Sequence, residues 1–290
     1  MKISVIGPGA IGSMIGFYGH QAGFEVSFVG RQGPVALRRH FQKASQSFTY
    51  EFSLADASQI PDLVFVCVKA TQLDAALKAH SRHWPSTLPV VVLCNGVVDA
   101  VTAPYGEHLP NLALGFTTIG VRQLADTWVI QNEGGQAIWG ADRGKSEQER
   151  GFLDKLKPFG FQWDSRARSL RHRKWLFNVV INSLCGTRQI PHNGLLLTDH
   201  HAALRETFDE AYQLGLDLWQ GWDWPPKQLF DEMCDLITAT KDNENSMARD
   251  VRLGRPTETS FLAGLHRQGH RPYPLLEGLH QDLMKLANFV

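Results

Sequence analysis

Short apolar segments alternate with stretches of helical periodicity through the first half of the chain. Residues 3–6 and 25–29 have the pattern of strands, and residues 63–68 and 89–94 are apolar along almost their whole length. A strand that is apolar throughout is typical of a parallel sheet whose two faces are both covered. Helical patterns cover residues 10–21 and 73–80. The alternation predicts βαβ units and a parallel sheet.

The pattern is less regular between these segments and residue 163. The elements predicted there are a short helix over 35–41, a strand over 112–119, a hairpin of 128–130 with 137–139, a helix over 147–156 and a short strand over 161–163. Because a hairpin joins antiparallel strands, we expect the sheet to end in antiparallel strands.

From about residue 168 the strand signal is lost, and helical periodicity continues to the end of the chain. The predicted helices cover residues 174–185, 202–219, 227–238, 261–266 and 275–288. The change near residue 165 predicts two domains, an α/β domain over residues 1–165 and an all-helical domain over residues 166–290.

Composition and charge exclude several classes of protein. The 290 residues include 29 Lys plus Arg and 29 Asp plus Glu, so the basic surplus of a nucleic-acid-binding protein is absent. Apolar residues make up 43% of the chain, but no apolar run is long enough to span a bilayer. The 4 cysteines form no C-x-x-C pair, which favours buried free thiols in a reducing cytoplasm.

A glycine-rich motif follows the first predicted strand and begins the first predicted helix. Its residues are Gly7, Pro8, Gly9, Ala10, Ile11 and Gly12. In such a motif the first glycine permits a tight turn, the second lets a pyrophosphate approach, and the third lets the helix pack closely on the strand. An ordinary glycine-rich turn is the alternative. The context favours a Rossmann-type dinucleotide-binding domain over residues 1–165.

The residues that follow the next strands indicate which dinucleotide is bound. Domains specific for NAD carry an acidic residue at the end of the second strand, where this chain has Arg31. An arginine there can bind a 2′-phosphate, and Lys69 follows the strand at 63–68 on the same edge of the sheet. We therefore predict NADPH as the cofactor. The alternative is that both side chains are solvated surface charges.

Asn95 and Gly96 follow the strand that ends at Cys94, again at the carboxyl edge of the predicted sheet. Open α/β sheets bind ligands at this edge, so Asn95 could hydrogen-bond the cofactor or the substrate. A plain Asn-Gly turn would explain the same two residues.

A polar stripe interrupts the predicted helix over 174–185, which is otherwise apolar. Lys174, Asn178 and Asn182 recur every fourth residue and therefore share one face of this helix. A buried amide or ammonium without a partner costs about 1–3 kcal/mol, and more for the charge. An active-site cleft with cofactor and substrate would supply partners, and so would another helix or ordered water.

These residues, in this order, resemble the ketopantoate reductase family, and the matching positions span nearly the whole chain. The further residues that carry the resemblance are Gln72, Thr117, Thr118, Asn193, Gly194, Asn243, Ser246, Thr257 and Glu258. The spacing of the Lys174 stripe, combined with the later Asn, Ser and Glu, is more specific than the glycine motif.

The resemblance implies a two-domain enzyme that uses NADPH to reduce 2-dehydropantoate to (R)-pantoate, a step towards pantothenate and coenzyme A. Lys174 matches the family's catalytic acid, and Glu258 matches the ligand of a substrate hydroxyl. The residues that match substrate-binding positions are Asn178, Asn182, Asn193, Asn243 and Ser246. Those that match cofactor contacts outside the glycine motif are Arg31, Lys69 and Asn95.

Two departures from the family pattern leave the substrate open. Many members carry Asn-Gly where this chain has Ala263-Gly264, and residues 191–194 fit only with a small shift in spacing. A related NADPH-dependent reductase of another small keto acid is therefore an alternative, and a non-catalytic NADPH-binding sensor is a second. A sensor needs the glycine motif but no proton donor, so Lys174 and Glu258 argue against it.

The remaining features indicate no additional chemistry. His266 and His270 are spaced as in some metal sites, but they lie near a helix end, and we predict no metal. Trp219, Trp222 and Trp224 are expected to pack in the core or at an interface. A homodimer is compatible with a helical second domain, although no motif requires one.

Overall fold

The computed structural model describes residues 1–31, 33–52, 60–124, 127–131, 135–140, 157, 161–241 and 244–288. The chain divides into two compact units. The first comprises Met1–Cys94 and Val98–Arg168, and the second comprises Asn95–Val97 and Ser169–Val290. The sequence pattern placed residues 95–97 in the first domain, whereas their contacts group them with the second unit. The helix predicted over 147–156 lies outside the described residues.

The first unit contains two sheets. Its strands are β1 (Lys2–Ile6), β2 (Glu25–Gly30), β3 (Gly33–Val35), β4 (Leu37–Lys43), β5 (Gln46–Phe52), β6 (Leu63–Val66), β7 (Val90–Leu93), β8 (Leu112–Thr117), β9 (Val121–Gln123), β10 (Trp128–Gln131), β11 (Ala137–Gly140) and β12 (Phe161–Trp163). The larger sheet has the order β12-β11-β8-β7-β6-β1-β2-β3, and the smaller has the order β5-β4-β10-β9.

The larger sheet has the parallel arrangement that the apolar strands predicted. From β2 through β1, β6 and β7 to β8 each neighbouring pair is parallel. The strand order reverses beside β1, since β2 lies on one side of it and β6 on the other. Open α/β sheets bind ligands at such a switch point, outside the carboxyl ends of the strands. The predicted α/β fold class is confirmed.

The helices of the first unit follow the predicted βαβ pattern. Among the residues described they are α1 (Ala10–Gln21), α2 (Ala70–His80) and the short α3 (Asp99–Thr102), with 3-10 turns at Ser81–His83 and Ala103–Tyr105. The middle of α1 is buried, and Phe17 stacks on Phe41 of the smaller sheet with ring centroids 4.1 Å apart. The predicted helix over 10–21 is confirmed in full.

The prediction of a short helix over 35–41 is wrong. Strand β4 occupies most of this segment and pairs antiparallel with β5 in the smaller sheet. Arg39 and Phe41 are buried, whereas Arg38 is exposed and His40 and Gln42 are partly exposed, which is the period of two of a half-buried strand. The cluster of basic residues hid this alternation, because only one of the two buried positions is apolar.

The predicted hairpin of residues 128–130 with 137–139 is also wrong. Strand β10 pairs with β4 and β9 in the smaller sheet, whereas β11 pairs with β8 and β12 in the larger one. The apolar pattern correctly identifies both strands, but it carries no information about their partners, and the turn residues between them suggested the wrong pairing. Within the larger sheet β11 runs opposite to β8, but the edge strand β12 is parallel to β11, and the antiparallel edge pair is β2 with β3 at the other end.

The described residues of the second unit form helices joined by loops and contain no strand. Its helices are α4 (Ala167–Arg188), α5 (Thr198–Leu218), α6 (Pro226–Ala239), α7 (Ser246–Arg252) and α8 (Pro274–Asn288), with 3-10 segments at His192–Leu196, Thr259–Phe261 and Ala263–Gln268. The segment predicted as a helix over 261–266 is therefore 3-10, and α7 was not predicted. Helix α4 lies in the core, with Leu176, Val179 and Val180 fully buried.

The tryptophans near residue 220 pack within the second unit. His172 stacks on Trp219 with ring centroids 3.9 Å apart, and Trp219 also contacts Trp222. The Trp224 indole N–H donates to the hydroxyl of Ser169 at 3.2 Å. These contacts fix the segment after α5 against the start of α4, in agreement with a packing role.

Candidate active site and dinucleotide loop

The glycine motif forms the turn between β1 and α1. Gly7 has φ +95°, a conformation that side chains rarely adopt, and a Cβ atom on Gly12 would lie 2.0 Å from the Gly7 carbonyl oxygen. A Cβ atom on Gly9, in contrast, would meet no protein atom within 4 Å. The first and third glycines thus serve the fold, while the second borders open space that a bound phosphate could enter. This loop fits a dinucleotide.

The start of helix α1 is free to bind an anion. Pro8 and Gly9 lead into Ala10 and Ile11, and the first turn of the helix contains no acidic residue and no side-chain cap. The first backbone N–H groups of a helix have no partner within it and carry a partial positive charge. Phosphate groups bind readily at such a helix start.

Arg39 is a buried residue that hydrogen-bonds to the glycine motif and to α1. The sequence did not predict this role. The side chain of Arg39 is 8% exposed. The guanidinium donates to the carbonyl oxygen of Pro8 at 2.9 Å and to the hydroxyl of Ser13 at 3.1 Å. Because Pro8 belongs to the loop and Ser13 to α1, Arg39 links the two parts of the motif. In the sequence, only the alternation of residues in β4 indicated that Arg39 is buried.

Arg31 and Lys69 follow the two strands that flank β1. Arg31 is exposed in the tight turn from β2 to β3, where Gly30 pairs with Gly33. Lys69 is partly exposed and directly precedes α2. Since β2 and β6 are both parallel to β1, the two cations and the glycine motif follow the carboxyl ends of three adjacent strands.

Asn95 begins the short segment that belongs to the second unit. Gly96 has φ +84°, and a Cβ atom there would lie 2.7 Å from Phe261. The Val97 N–H donates to the Phe261 carbonyl oxygen at 3.1 Å. Gly96 therefore lets this segment lie directly against the 3-10 turn Thr259–Phe261, which Glu258 immediately precedes.

Asn95 connects the two residues predicted to be catalytic. The Lys174 ammonium donates to Asn95 Oδ1 at 2.8 Å, and Asn95 Nδ2 is 3.4 Å from Glu258 Oε2. An ammonium has only protons to donate and an ionised carboxylate only accepts, so this amide orientation is the one that satisfies both. A proton donor and a carboxylate are thereby held on opposite sides of one carboxamide.

Lys174, Asn178 and Asn182 lie on one partly exposed face of α4, whereas neighbours such as Trp175 and Val179 are buried. Asn182 Oδ1 accepts a hydrogen bond of 2.9 Å from Asn245 Nδ2. The buried Asn245 also caps α7, and the sequence did not identify its contact with Asn182. The stripe is thus the accessible edge of a core helix.

Two of the other predicted substrate residues lie on the segments that follow α4 and begin α7. Ser246 is exposed at the first position of α7. Asn193 is exposed in the 3-10 segment after α4 and lines an open cleft of about 380 Å³ together with Lys241 and Arg252. Asn243 lies outside the described residues. Within the residues described, no hydrogen bond joins Asn193 or Ser246 to Lys174.

No helix among the described residues is both long and apolar enough to cross a membrane. In the same part of the chain, no group of three His, Cys, Asp or Glu side chains is arranged to hold a metal ion.

A Rossmann-like domain with a dinucleotide loop, followed by a helical unit that holds an ammonium beside a carboxylate, defines an NAD(P)-binding oxidoreductase. Comparison with known proteins identifies the family within this class. Residues 3–144 match the model of the ketopantoate reductase PanE/ApbA family, and residues 166–271 match the model of its C-terminal domain. The chain belongs to the ketopantoate reductase family.

Individual relatives agree with this family. The 2-dehydropantoate 2-reductase of Vibrio cholerae is 27% identical over 297 residues, covering 99% of this chain and 98% of the relative. A D-mandelate dehydrogenase solved with NADH and anilino(oxo)acetate has a TM-score of 0.87 at 17% identity, covering 99% of both chains. A dimeric ketopantoate reductase from Staphylococcus aureus has a TM-score of 0.81 at 17% identity, with 99% of each chain covered. At such identities, the structural likeness establishes the fold.

Proposed function

We propose that this protein reduces 2-dehydropantoate to (R)-pantoate with NADPH, a step towards pantothenate and coenzyme A. The observation that carries the proposal is the hydrogen-bonded set of Lys174, Asn95 and Glu258 in a chain of this family. A protein that only sensed the cofactor would need the glycine loop but not this set.

The cofactor part of the proposal concerns residues of the first unit. Bound NADPH supplies the hydride that adds to the ketone carbon. The loop from Gly7 to Gly12 would bind the pyrophosphate through backbone N–H groups, with Gly9 leaving room for it. Arg31 and Lys69 would bind the 2′-phosphate, since an acidic residue that would repel it is absent from the end of β2.

Lys174 is the proposed general acid. As the ketone carbon is reduced, negative charge develops on the oxygen, and Nζ of Lys174 stabilises this charge and delivers a proton to it. A positioned acid contributes typically ~10²–10⁴-fold to the rate. Asn95 Oδ1 accepts one proton of the ammonium at 2.8 Å, which orients the group.

Glu258 and the amides are proposed to orient the substrate. The Glu258 carboxylate would accept a hydrogen bond from the 4-hydroxyl of the substrate and balance the charge of Lys174. Asn178, Asn182 and Ser246 are uncharged, so they can donate to the substrate carboxylate without repelling it. We propose Asn193 and Asn243 as further substrate contacts.

A second candidate function is the reduction of another small keto acid. Ala263 is fully buried where many family members carry Asn, so this chain lacks an amide side chain at that position. A small apolar residue at this position would alter which substituent the substrate site accepts.

Steady-state NADPH oxidation with 2-dehydropantoate and a panel of other 2-keto and 3-keto acids tests the proposal. The panel includes the keto acid of mandelate. We expect the highest kcat/KM with 2-dehydropantoate. If another keto acid is turned over better, the second candidate is correct. If NADPH binds and no keto acid is reduced, the protein is a sensor and the enzyme proposal is wrong.

We also propose that the protein is cytoplasmic and forms a homodimer. All 4 cysteines are free, and burial raises the pKa of Cys67 and brings that of Cys185 to about 12, so these thiols stay protonated in a reducing compartment. The dimeric relative and exposed leucines such as Leu197, which is 62% exposed, support self-association. Light scattering coupled to size-exclusion chromatography would distinguish a dimer from a monomer of 32.5 kDa.

A further inference from the structure

Asn245 uses both ends of its carboxamide. Its Oδ1 accepts from the backbone N–H groups of Met247 at 3.0 Å and Ala248 at 3.1 Å, which caps helix α7. Its Nδ2 donates to Asn182 Oδ1 at 2.9 Å and lies 3.2 Å from His192 Nε2. The side chain belongs to a residue that is only 3% exposed. Every polar atom of this carboxamide therefore has a partner inside the protein.

These partners fix the orientation of the Asn245 amide. A backbone N–H can only donate, so the atom that contacts Met247 and Ala248 has to be the oxygen. Both protons of Nδ2 then point to Asn182 and His192. Turning the amide over would place its N–H₂ against two backbone donors and leave Asn182 and His192 without a donor.

The second partner, His192, is fixed in the same way. Its Nδ1 lies 2.8 Å from the hydroxyl of Thr240, and that hydroxyl donates to the Leu236 carbonyl oxygen at 2.7 Å. The Thr240 oxygen is therefore the acceptor, and Nδ1 of His192 carries the proton. Nε2 is then unprotonated and accepts from Asn245. Burial lowers the pKa of His192, which favours this neutral ring.

Asn182 is left with one hydrogen-bonding group that is not used by the residues that the structure describes. Its Oδ1 is engaged by Asn245, and among the described residues its Nδ2 has no hydrogen-bond partner. Asn182 lies on the partly exposed face of α4 that also carries Lys174 and Asn178. Asn182 therefore presents donors to a ligand, and donors bind a carboxylate or carbonyl oxygen.

We propose that Asn245 and His192 are positioning residues, which hold the Asn182 amide so that its N–H₂ faces an anionic oxygen of the substrate. This inference rests on the proposed keto-acid reductase function. It adds to that function a reason why Asn182 selects substrates with an acceptor oxygen at this position. Neither positioning residue needs to touch the substrate itself.

The substitution Asn245→Asp separates this role from the role of Asn245 in the fold. A carboxylate still caps α7, because Asp is as good an N-cap as Asn. The substitution removes both protons that Nδ2 of Asn245 donates. The Asn182 amide therefore turns its N–H₂ towards the new carboxylate and its oxygen towards the substrate. We expect the KM for the keto acid to rise about 10- to 100-fold, with the KM for NADPH and the melting temperature nearly unchanged.

His192→Gln provides the matched control. The Gln amide can place an oxygen where Nε2 of the ring accepts from Asn245, so we expect a KM close to that of the wild type. His192→Leu offers no acceptor and should raise the KM for the keto acid. Nitrogen NMR of the wild type gives a readout independent of turnover, with His192 expected in the tautomer protonated at Nδ1.

The outcomes separate this inference from the proposed function. If the wild type reduces keto acids and Asn245→Asp leaves their KM unchanged, the positioning role is wrong while the function stands. A His192 ring protonated at Nε2 in the wild type would also overturn it. If the wild type reduces no keto acid, the proposed function fails, and the substrate-directed role of Asn182 fails with it.

Discussion

At the scale of single residues, Asn95 has the most unexpected position. The sequence indicated a contact to cofactor or substrate, and the structure places its amide between the Lys174 ammonium and the Glu258 carboxylate. Residue type and helical spacing predicted which face of α4 carries Lys174, Asn178 and Asn182. They could not predict the contacts made by Asn95, Asn245 and Arg39, because each of these contacts joins positions that are far apart in the chain.

Replacing Asn95 tests whether this amide orients the proton donor. Asn95→Ala removes an acceptor of Lys174 and a donor to Glu258, so we expect kcat for the keto acid to fall about 10- to 100-fold. The matched control is Asn111→Ala, which removes a surface amide that donates to the Thr87 carbonyl oxygen at 3.0 Å. Steady-state kinetics measures both. A value of kcat within about twofold of the wild type for Asn95→Ala would show that Lys174 is oriented without it.

Arg31 tests the preference for NADPH over NADH. The charge-assisted hydrogen bonds of an arginine to a 2′-phosphate are absent with NADH. Arg31→Ala should therefore weaken NADPH binding about 10- to 100-fold and leave NADH binding almost unchanged. Titration followed by nucleotide fluorescence measures both affinities, with Arg38→Ala, an exposed arginine paired with Glu51, as the control. Equal losses for the two nucleotides would exclude contact with the 2′-phosphate.

At the scale of elements, the sequence predicted helices and buried strands better than it predicted strand pairing. Long apolar runs such as the strand after residue 62 can be recognised from the sequence alone, because a strand that is buried on both faces has no polar positions. Strand β4 was missed, since its buried Arg39 broke the apolar alternation. The partners of β10 and β11 depend on tertiary contacts between distant segments, which no local pattern encodes.

The glycine loop allows its binding and folding roles to be separated. Gly9→Ala adds a methyl group where no protein atom lies within 4 Å, so the melting temperature should stay unchanged while NADPH affinity falls about tenfold or more. Gly12→Ala should instead lower the melting temperature, because its Cβ atom would collide with the Gly7 carbonyl. Thermal unfolding and nucleotide titration measure the two effects.

Gly278→Ala is the matched control for this loop, since a Cβ atom there also meets nothing within 4 Å. Lying within α8, it should stabilise the protein slightly and leave the affinity unchanged. If Gly9→Ala binds NADPH as tightly as Gly278→Ala does, the open space above Gly9 is not the phosphate site.

At the scale of the whole molecule, three wholly or partly buried imidazoles predict a loss of stability in mild acid. Burial lowers the pKa of His80, His192 and His280 from the ordinary value of 6.5. The unfolded chain therefore binds protons at a higher pH than the folded chain does. The free energy of unfolding should be constant above this range and decrease as the pH falls through 6.5 towards the lowered values.

Urea unfolding at about pH 7.5 and about pH 5.5 measures this decrease. His192→Gln removes one of the three groups, so its stability should depend less steeply on pH than that of the wild type. A wild-type free energy of unfolding that is equal at both pH values would show that these imidazoles titrate alike in the folded and unfolded chains.

The central claim is that the Lys174 ammonium protonates the oxygen of a reduced keto acid. The most direct test is the turnover number of Lys174→Met with NADPH and 2-dehydropantoate, measured beside NADPH affinity. Lys227→Met, which removes an exposed lysine paired with Asp231, is the control. The account predicts a loss of ~10²–10⁴-fold in kcat for Lys174→Met, with NADPH affinity and the control nearly unchanged. A Lys174→Met enzyme that turns over at close to the wild-type rate would contradict it.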